Sequence, residues 1–328
     1  MESSAAARVQ VLPPFRLAPL FDKRIWGFQD LAPWFDYKTS GDPIGEVWLT
    51  GDNCLVDTGS LAGRSLKQAT ADHGAAILGA QHAGEDFPLL IKMLFPKDKL
   101  SVQVHPDDAM AQKYGEPRGK TECWYTLQAD PGASVALGLK PGVSKEQVRS
   151  AIADATLEDL LVYVPVTKGD LIFVDAGTVH AILPGSVLLE TQQNSDTTYR
   201  LYDYGRPREL HLEKGLEAIR SDTRAGRVAP RQEGNHTLLI NERYFRVDRF
   251  VVEGAISSDA LAQDHKKQLQ ILFVADGAAT VSGEGFDSFP LSRCQVAVIP
   301  ASAGAWELES KGKLELIRMI PQNEVSAR

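Results

Sequence analysis

The sequence predicts an all-β dominated fold with two barrel or sandwich domains and a few short helices. At 328 residues the chain exceeds the length at which one hydrophobic core usually stops growing, so about two domains are expected. Its apolar runs are short, rich in β-branched and aromatic residues, and separated by Gly, Pro, Asn and Asp, which is typical of such folds. They are EVWLTG, LLIKMLF, KLSVQVH, ECWYTLQA, DLIFVDAG, SVLLETQQ and TTYRLYDY, then FRVDRFVVEG, QLQILFVADG, CQVAVIP and KLELIRMIP.

Two segments predict helices and one predicts a domain boundary. Residues 144–164 place apolar side chains on one helical stripe after Ser144, a good N-cap residue, and residues 208–221 form a second predicted helix. Residues 222–242 are polar, rich in Gly and Pro, and without periodicity. We therefore predict one domain at 1–235 and another at 236–328. Residues 166–183 and 289–308 share a strand, turn and strand order, consistent with an internal duplication.

Composition narrows the functional class. The net charge of -8 gives no general basis for nucleic-acid binding, which needs a basic face. The first residues lack a signal-peptide pattern, and no apolar run reaches the length of a membrane span. Three widely spaced cysteines, Cys54, Cys123 and Cys294, provide neither a disulfide framework nor a cysteine zinc cluster. A cytoplasmic protein is expected.

The run SVQVHPDD raises the question of a binding site. Strand side chains alternate between two faces, so Gln103 and His105 project from one face about 6.5 to 7 Å apart. A half-exposed strand end would have the same pattern, and the pair is informative only if other groups converge on it. His180 does follow a strand and a tight turn, in GDLIFVDAGTVHAI.

These residues trace two cupin motifs. Gly169, Asp175, Gly177 and His180 are similar to the second motif, with Asp175 in the place of the usual proline. The first motif has two ligands two residues apart and a later glutamate. Its positions are filled here by Gln103, His105 and Glu122.

The four donors Gln103, His105, Glu122 and His180 are two imidazoles, a carboxylate and an amide oxygen. Such a set suits zinc, iron, manganese, cobalt or nickel and disfavours calcium. It also leaves coordination positions open, as in catalytic metal sites. The other histidines follow no comparable pattern and are predicted to lie on the surface: His73, His82, His211, His236 and His265.

Charged residues cluster near these motifs. GEPRGKTE lacks the spacing of a phosphate-binding loop and precedes a strand rather than a helix, but it places Lys120 beside Glu122. LLETQQNSDTTYRLYDYGR carries Arg200, whose fork of donors suits a phosphate or an oxyanion. An ion pair with Asp196 is the structural alternative for this arginine, and the two roles are compatible. The same segment contains Glu190 and Arg206.

The chain resembles the compact bacterial form of the type I mannose-6-phosphate isomerases, which are zinc-dependent cupin enzymes. SVQVHPDD, GKTE, AGTVHA and SDTTYRLYDYGR occur in the family order, and IWG and GEVW fit the family's N-terminal segment. The resemblance covers most of residues 20 to 210 and implies two cupin barrel domains with one zinc ion per chain. It implies these roles: Gln103, His105, Glu122 and His180 as zinc ligands, Arg200 as catalytic arginine, Ser101 and Lys120 at the substrate, and Glu190 and Asp196 in proton transfer or in orienting Arg200.

Two positions depart from the family pattern. Gly27–Phe28 replaces the usual Gly-Gly after Trp26, which affects a loop but no ligand. If Cys294 and Pro300 are aligned with Gly169 and Asp175, Ala305 stands in the place of His180. The second repeat is therefore predicted to pack or to form a wall without a metal.

The resemblance implies the interconversion of mannose 6-phosphate and fructose 6-phosphate through a cis-enediol. The proton-transfer base could be Glu190, Asp196, Lys120 or a metal-held water, and the two acidic residues are favoured. Two histidines and a carboxylate also suit a non-haem iron oxygenase, and a non-catalytic sugar-binding cupin is a third hypothesis. The cations Lys120, Arg200 and Arg206 favour a sugar phosphate as the partner. A monomer or weak homodimer is expected.

Overall fold

A computed structural model of the protein describes residues 10–262 and 265–322. The chain folds into two compact units, each built from segments that are separated in sequence. Unit 1 contains the residues up to Leu20, Leu49–Pro88 and the chain from Pro230 onward, and unit 2 contains Phe21–Trp48 and Leu89–Ala229. Among the described residues, no helix combines the length and apolar character needed to cross a membrane.

Unit 2 consists of two antiparallel sheets. The seven-stranded sheet has the order β13 (Gly226–Val228), β9 (Leu171–Val174), β6 (Glu122–Ala129), β11 (Ser186–Gln193), β4 (Leu89–Leu94), β3 (Ile44–Trp48) and β2 (Leu20–Phe28). The five-stranded sheet has the order β12 (Tyr199–Tyr202), β5 (Val102–Val104), β10 (His180–Ile182), β7 (Ser134–Leu139) and β8 (Leu161–Pro165). Trp124 and Leu188 of the first sheet share a core with Val135 and Ile182 of the second.

Unit 1 also has two antiparallel sheets. Seven strands lie in the order β1 (Phe15–Leu17), β21 (Val296–Ile299), β18 (Gln270–Asp276), β23 (Leu314–Pro321), β16 (Phe245–Val252), β15 (His236–Asn241) and β14 (Arg231–Glu233). Four more have the order β17 (Ala255–Ser257), β22 (Trp306–Ser310), β19 (Ala278–Gly283) and β20 (Phe289–Ser292). Their facing apolar residues form one buried core. The β-dominated prediction is confirmed, with open sheets throughout the described residues.

Helices are short, and both predicted helices are shorter than expected. They are α1 (Leu66–Ile77), α2 (Asp108–Lys113), α3 (Lys145–Ala153), α4 (Leu212–Ala218) and α5 (Ser258–Ala262), with 3-10 turns at Gly59–Leu61, Ala80–His82 and Leu157–Leu160.

The predicted 144–164 helix was wrong beyond Ala153. Ala155 has a left-handed φ of 56°, which ends the helix, and the following apolar residues belong to a 3-10 turn and then to β8. The predicted 208–221 helix was wrong at both ends. His211 is the N-cap, and Ile219 leaves the helical conformation with ψ 128°. Tertiary pairing thus overrides the helical periodicity of these segments.

The two units also divide the chain differently from the predicted ranges 1–235 and 236–328. The last segment of unit 1 begins at Pro230, and residues 49–88 belong to the same unit as the C-terminal strands. Strand pairing and backbone hydrogen bonds explain this grouping, since β1 pairs with β21 through Phe15 and Val298, and Ala301 N–H donates to Ile77 C=O at 2.9 Å. A unit that is assembled from separate chain segments by long-range strand pairing cannot be recognised from the sequence alone.

The units share a local motif that supports the predicted duplication. Gly169 (φ 92°) precedes β9, and Cys294 (φ 65°) precedes β21. Gly169 N–H donates to Thr126 C=O at 2.8 Å, as Cys294 N–H donates to Val274 C=O at 2.9 Å. Ala305 lies directly before β22, whereas His180 is the first residue of β10.

Candidate metal and active site

Four predicted donors come together inside unit 2. Gln103 in β5 pairs with His180 at the start of β10, His105 follows β5, and Glu122 begins β6 of the other sheet. His105 Nε2 lies 3.6 Å from Glu122 Oε2, and His180 Nε2 lies 3.4 Å from Glu122 Oε1. One ligand atom from each of these three residues falls within 4.8 Å of the others. Gln103 Nε2 lies 3.5 and 3.3 Å from the same two imidazole nitrogens.

Backbone carbonyls orient both imidazoles. His105 Nδ1 lies 2.8 Å from Thr197 O, and His180 Nδ1 lies 2.9 Å from Thr178 O. A proton on each Nδ1 leaves Nε2 as a lone-pair donor directed at Glu122. Burial lowers the pKa of His180 to about 4 and that of His105 well below its usual value, so both rings are neutral near pH 7.

The carboxylate of Glu122 is buried and incompletely satisfied. Its Oε2 has no hydrogen-bond partner among the described residues, although the ammonium of Lys120 forms an ion pair with it at 3.0 Å. Ser101 Oγ donates to Gln103 Oε1 at 3.1 Å on the other side of the cluster. Lys120 balances the charge of this carboxylate, and the two imidazole nitrogens that face the same group add the further donors that a divalent cation binds.

Lys120 and Glu190 form a second buried pair beside the cluster. Lys120 Nζ lies 3.6 Å from Glu190 Oε1, and both residues are at least 95% buried. Burial raises the pKa of Glu190 to about 8, partly offset by Lys120. Burial lowers the pKa of Lys120, but the charges of Glu122 and Glu190 outweigh this and raise it overall. Lys120 is therefore a cation, and Glu190 lies near its titration range at neutral pH.

All of these groups lie on or beside a cavity of about 450 Å³ within unit 2. Predicted residues on its wall include Ser101, Gln103, Lys120 and Arg200. Ionic groups of both signs dominate the lining: Lys23, Arg24, Lys92, Lys120, Arg200 and Arg208 with Glu46, Glu122, Glu190 and Asp196. A cavity lined in this way suits a small polar ligand with an anionic group.

Arg200 and Asp196 both line the cavity, but they form different contacts from those expected. Asp196 forms ion pairs with Lys92 at 3.1 Å and with Arg24 at 3.9 Å. Arg200 Nη1 donates to Glu209 C=O at 2.8 Å, and its buried Nε has no hydrogen-bond partner among the described residues. Arg206 pairs with Asp203 at 2.7 Å and is absent from the cavity lining. The cation cluster that we expected to include Arg206 contains Arg208 instead.

A buried charge network on the cavity wall was not predicted from the sequence. Lys92 projects from the apolar strand β4 and pairs with Glu46 at 3.2 Å. Burial would raise the pKa of Glu46, but Lys92 and Arg24 lower it to about 2. The signal available was the single lysine in LLIKMLF, because a charge inside a fully buried strand requires a partner.

The prediction that the remaining histidines are surface residues was wrong for His236. His236 is 3% exposed in unit 1 and stacks on Phe250 with ring centroids 5.1 Å apart. Its Nε2 lies 3.5 Å from Asp248, whose carboxylate also pairs with buried Arg318. This cluster belongs to β15, β16 and β23, and it could not be read from spacing along the chain.

A protein-family model and several curated proteins of one enzyme family match this chain. The family model of the phosphomannose isomerase type I catalytic domain matches residues 14–136. A mannose-6-phosphate isomerase of Streptococcus mutans is 33% identical over 317 residues, covering 93% of this chain and 97% of the relative. A second relative, from Bacillus subtilis, is 35% identical over 311 residues, covering 90% and 96%.

Solved structures agree with the sequence relatives. The crystal structure of the mannose 6-phosphate isomerase from Bacillus subtilis superposes with a TM-score of 0.83 at 30% identity, covering 94% of this chain and 99% of that one. At these identities the relatives span nearly the whole chain, including both units. The chain therefore belongs to the mannose-6-phosphate isomerase family.

Proposed function

We propose that the protein is a metal-dependent aldose–ketose isomerase that interconverts mannose 6-phosphate and fructose 6-phosphate through a cis-enediol. The observation that carries this proposal is the convergence of His105, Glu122 and His180 beside a cavity lined by Lys120 and Arg200. Family membership supports the reaction, and the cationic groups support a phosphorylated substrate.

We propose Gln103, His105, Glu122 and His180 as the ligands of one zinc ion per chain. Two neutral imidazole nitrogens and a buried carboxylate fit a divalent transition metal. A half-turn of the Gln103 amide exchanges its oxygen and nitrogen, so the oxygen can face the cluster while the nitrogen donates to Ser101 Oγ. When bound, the cation would act as a Lewis acid on the sugar oxygens.

In the proposed mechanism, Glu190 moves the proton. It takes the proton from C2 of the open-chain aldose and returns it to C1 of the enediol, while the hydroxyl proton on the C2 oxygen is transferred to the C1 oxygen, which yields the ketose. Its pKa of about 8 lets it serve as both base and acid near neutral pH. Lys120, 3.6 Å away, balances the charge of the carboxylate and can stabilise negative charge on the enediol oxygens.

Arg200 and Asp196 have separate proposed roles. The free Nε donor of Arg200 is available for an oxyanion or the phosphate, and Arg208 and Ser101 contribute further polar groups to the cavity. Asp196 is held by Lys92 rather than by Arg200, so we assign it to the charge balance of the wall and not to proton transfer.

We propose that unit 2 is a catalytic cupin domain and unit 1 a degenerate cupin domain without a metal. We also propose that the protein works in the cytoplasm as a monomer or weak homodimer, without nucleic-acid or membrane partners. Gel filtration of the purified protein tests the oligomeric state.

Metal analysis and a coupled assay of fructose 6-phosphate formation test the function. Chelation should abolish isomerisation and added zinc should restore it. His180→Ala should lose bound metal and activity, whereas His82→Ala, a half-buried histidine paired with Glu85, should retain both. Fully retained activity after complete metal removal would contradict the proposal.

The same preparation separates the alternatives. Oxygen uptake with bound iron and no isomerisation would favour the oxygenase. Sugar-phosphate binding without turnover, measured by calorimetry, would favour the binding module. Each result would replace the isomerase proposal.

A further inference from the structure

Residues 209–211 contact Arg200 at three points. Arg200 Nη1 donates to Glu209 C=O at 2.8 Å. Arg200 N–H donates to His211 Nδ1 at 3.2 Å, and His211 N–H donates to Arg200 C=O at 2.7 Å. The backbone and the guanidinium of the proposed catalytic arginine are therefore held by one short segment.

Because of the position of β12 in its sheet, the backbone of Arg200 depends on these contacts. β12 is the edge strand of the five-stranded sheet, and Arg200 lies opposite Gln103 of β5. The N–H of Arg200 bonds to His211 rather than to a sheet neighbour. An edge strand has a neighbouring strand on one side only, so the backbone groups on its outer side lack strand partners. The His211 side chain accepts a hydrogen bond from one of these outer groups.

His211 is itself anchored. It is the N-cap residue of α4, and Gly215 N–H donates to its carbonyl at 2.7 Å. A Cβ at Gly215 would lie 2.5 Å from Leu201 Cδ2, so α4 packs directly against β12 at this point. The imidazole thus links a helix packed on β12 to the backbone of Arg200.

The hydrogen bond requires an unprotonated Nδ1. A neutral ring with its proton on Nε2 accepts from Arg200 N–H, whereas an imidazolium has an N–H at both positions and cannot. The charged and aromatic groups that face the ring are Glu209, Arg200, Lys214 and the ring of Tyr199, whose centroid lies 6.3 Å away. Burial, with Arg200 and Lys214 nearby, lowers the pKa of His211, which favours the neutral form.

We propose that His211 is a positioning residue for the isomerase reaction, whose Nδ1 fixes the β12 backbone and so holds the Arg200 guanidinium at the cavity. The proposal rests on the proposed function, because Arg200 is there the group that contacts the substrate. Protonation of the ring would release the Arg200 N–H and lower activity in acid.

Paired substitutions test this role. His211→Asn keeps an acceptor oxygen at the same number of bonds from Cα but cannot be protonated, and His211→Ala removes the acceptor. We expect kcat to fall about 10-fold in His211→Ala and to stay within about 3-fold in His211→Asn, since one positioned hydrogen bond is worth roughly that factor. Glu213→Ala, which removes the α4 ion pair with Arg149, is the matched control and should keep kcat.

The pH profile gives a second comparison. At a pH low enough to protonate His211 but not to remove the metal, the wild type should lose a larger fraction of its kcat than His211→Asn. Metal content is measured at each pH. Equal activity of His211→Ala and the wild type, or equal impairment of the Asn and Ala variants, would overturn the proposal.

Amide hydrogen exchange of Arg200 tests the same contact without the reaction. The Arg200 amide should be protected in the wild type and in His211→Asn and exchange about 10-fold faster in His211→Ala, because its acceptor is lost. If the wild type fails to isomerise mannose 6-phosphate, the proposed function fails while amide exchange still decides the contact. Unchanged exchange in His211→Ala would refute the positioning role directly.

Discussion

At the residue scale, the site combines charged groups that are stable in the protein interior only because they lie next to one another. Glu190, Lys120 and Glu122 are each almost fully buried, and none would be stable alone as an ion. The charge of Lys120 offsets part of the burial cost of Glu190, and Glu122 raises the pKa of Glu190 further. The result is an acid close to neutrality beside a permanent cation, which suits proton transfer between adjacent carbons.

Replacement of Glu190 should test its role in proton transfer. Glu190→Gln keeps the size of the side chain but cannot accept the C2 proton, so kcat should fall by about 10²- to 10⁴-fold with little change in KM. Asp196→Asn, which alters the ion pair with Lys92, should cost much less. A coupled assay at several pH values measures both. If Asp196→Asn is the more damaging change, the assignment of the base is reversed.

Glu46 provides a prediction about stability and pH. Its folded pKa of about 2 lies below its usual value of 4.5, so its charge stabilises the fold above pH 4.5, and this stabilisation is lost as the pH falls through 2. Glu46→Gln should lower the free energy of unfolding by roughly 3 kcal/mol near pH 7, because Lys92 loses a buried partner.

Urea unfolding of the wild type and of Glu46→Gln across this pH range measures the effect. The difference should remain constant from pH 7 to about 5 and shrink toward pH 2. Asp42→Asn, in an exposed pair with Lys23, is the control and should change stability by less than about 1 kcal/mol. A difference that grows in acid would contradict the ion-pair account.

At the element scale, strand spacing shapes the cavity wall. Gly27 lies in β2, where a Cβ would meet the backbone carbonyl carbon and oxygen of Ile44 at 2.2 Å. The two neighbouring strands β2 and β3 therefore approach each other closely at this point. These strands contribute Arg24, Trp26 and Glu46 to the lining, so their separation affects the cavity.

Gly27→Ala should therefore destabilise the protein. A backbone overlap cannot be relieved by a side-chain rotation, so we expect a loss of about 3 kcal/mol, at the upper end for overpacked sites. Gly41→Ala is the matched control, because its Cβ would meet only Thr39 Oγ1 at 3.5 Å. Thermal unfolding followed by circular dichroism compares the two. Equal melting temperatures would show that β2 shifts freely.

At the scale of the whole molecule, each unit depends on chain segments that are far apart in sequence. In unit 1, β1 pairs with β21, and Ser302 N–H donates to Ala76 C=O at 3.0 Å. Leu12, Phe15, Leu17 and Ile77 are each at most 2% exposed in this arrangement.

A fragment of residues 1–235 should therefore not behave as an intact domain. Without residues 236–328, β1 loses its strand partner and the apolar residues of unit 1 are exposed, which favours aggregation. We expect poor solubility and rapid proteolysis between residues 49 and 88, measured by limited digestion and mass spectrometry. A monomeric fragment that resists digestion there would contradict the discontinuous unit.

The sequence by itself determined the β-dominated class and the order of the proposed ligands. Period-two runs and turn residues are local signals, and the strands at 122–129 and 186–193 begin and end where the apolar runs do. Glu122 and His180 could be selected because motif spacing records their place at a strand start.

Only the tertiary structure decided the ends of the helices, the division of the chain and the partners of the charged groups. Helical periodicity at 154–164 was overridden because β8 pairs with β7. Contacts between residues distant in sequence place Lys92, Glu46 and Arg208 on the cavity wall. Arg206 pairs with Asp203 and is not part of that wall. Burial and Coulomb interaction depend on distance in space, and a linear pattern carries no information about which distant side chains will meet.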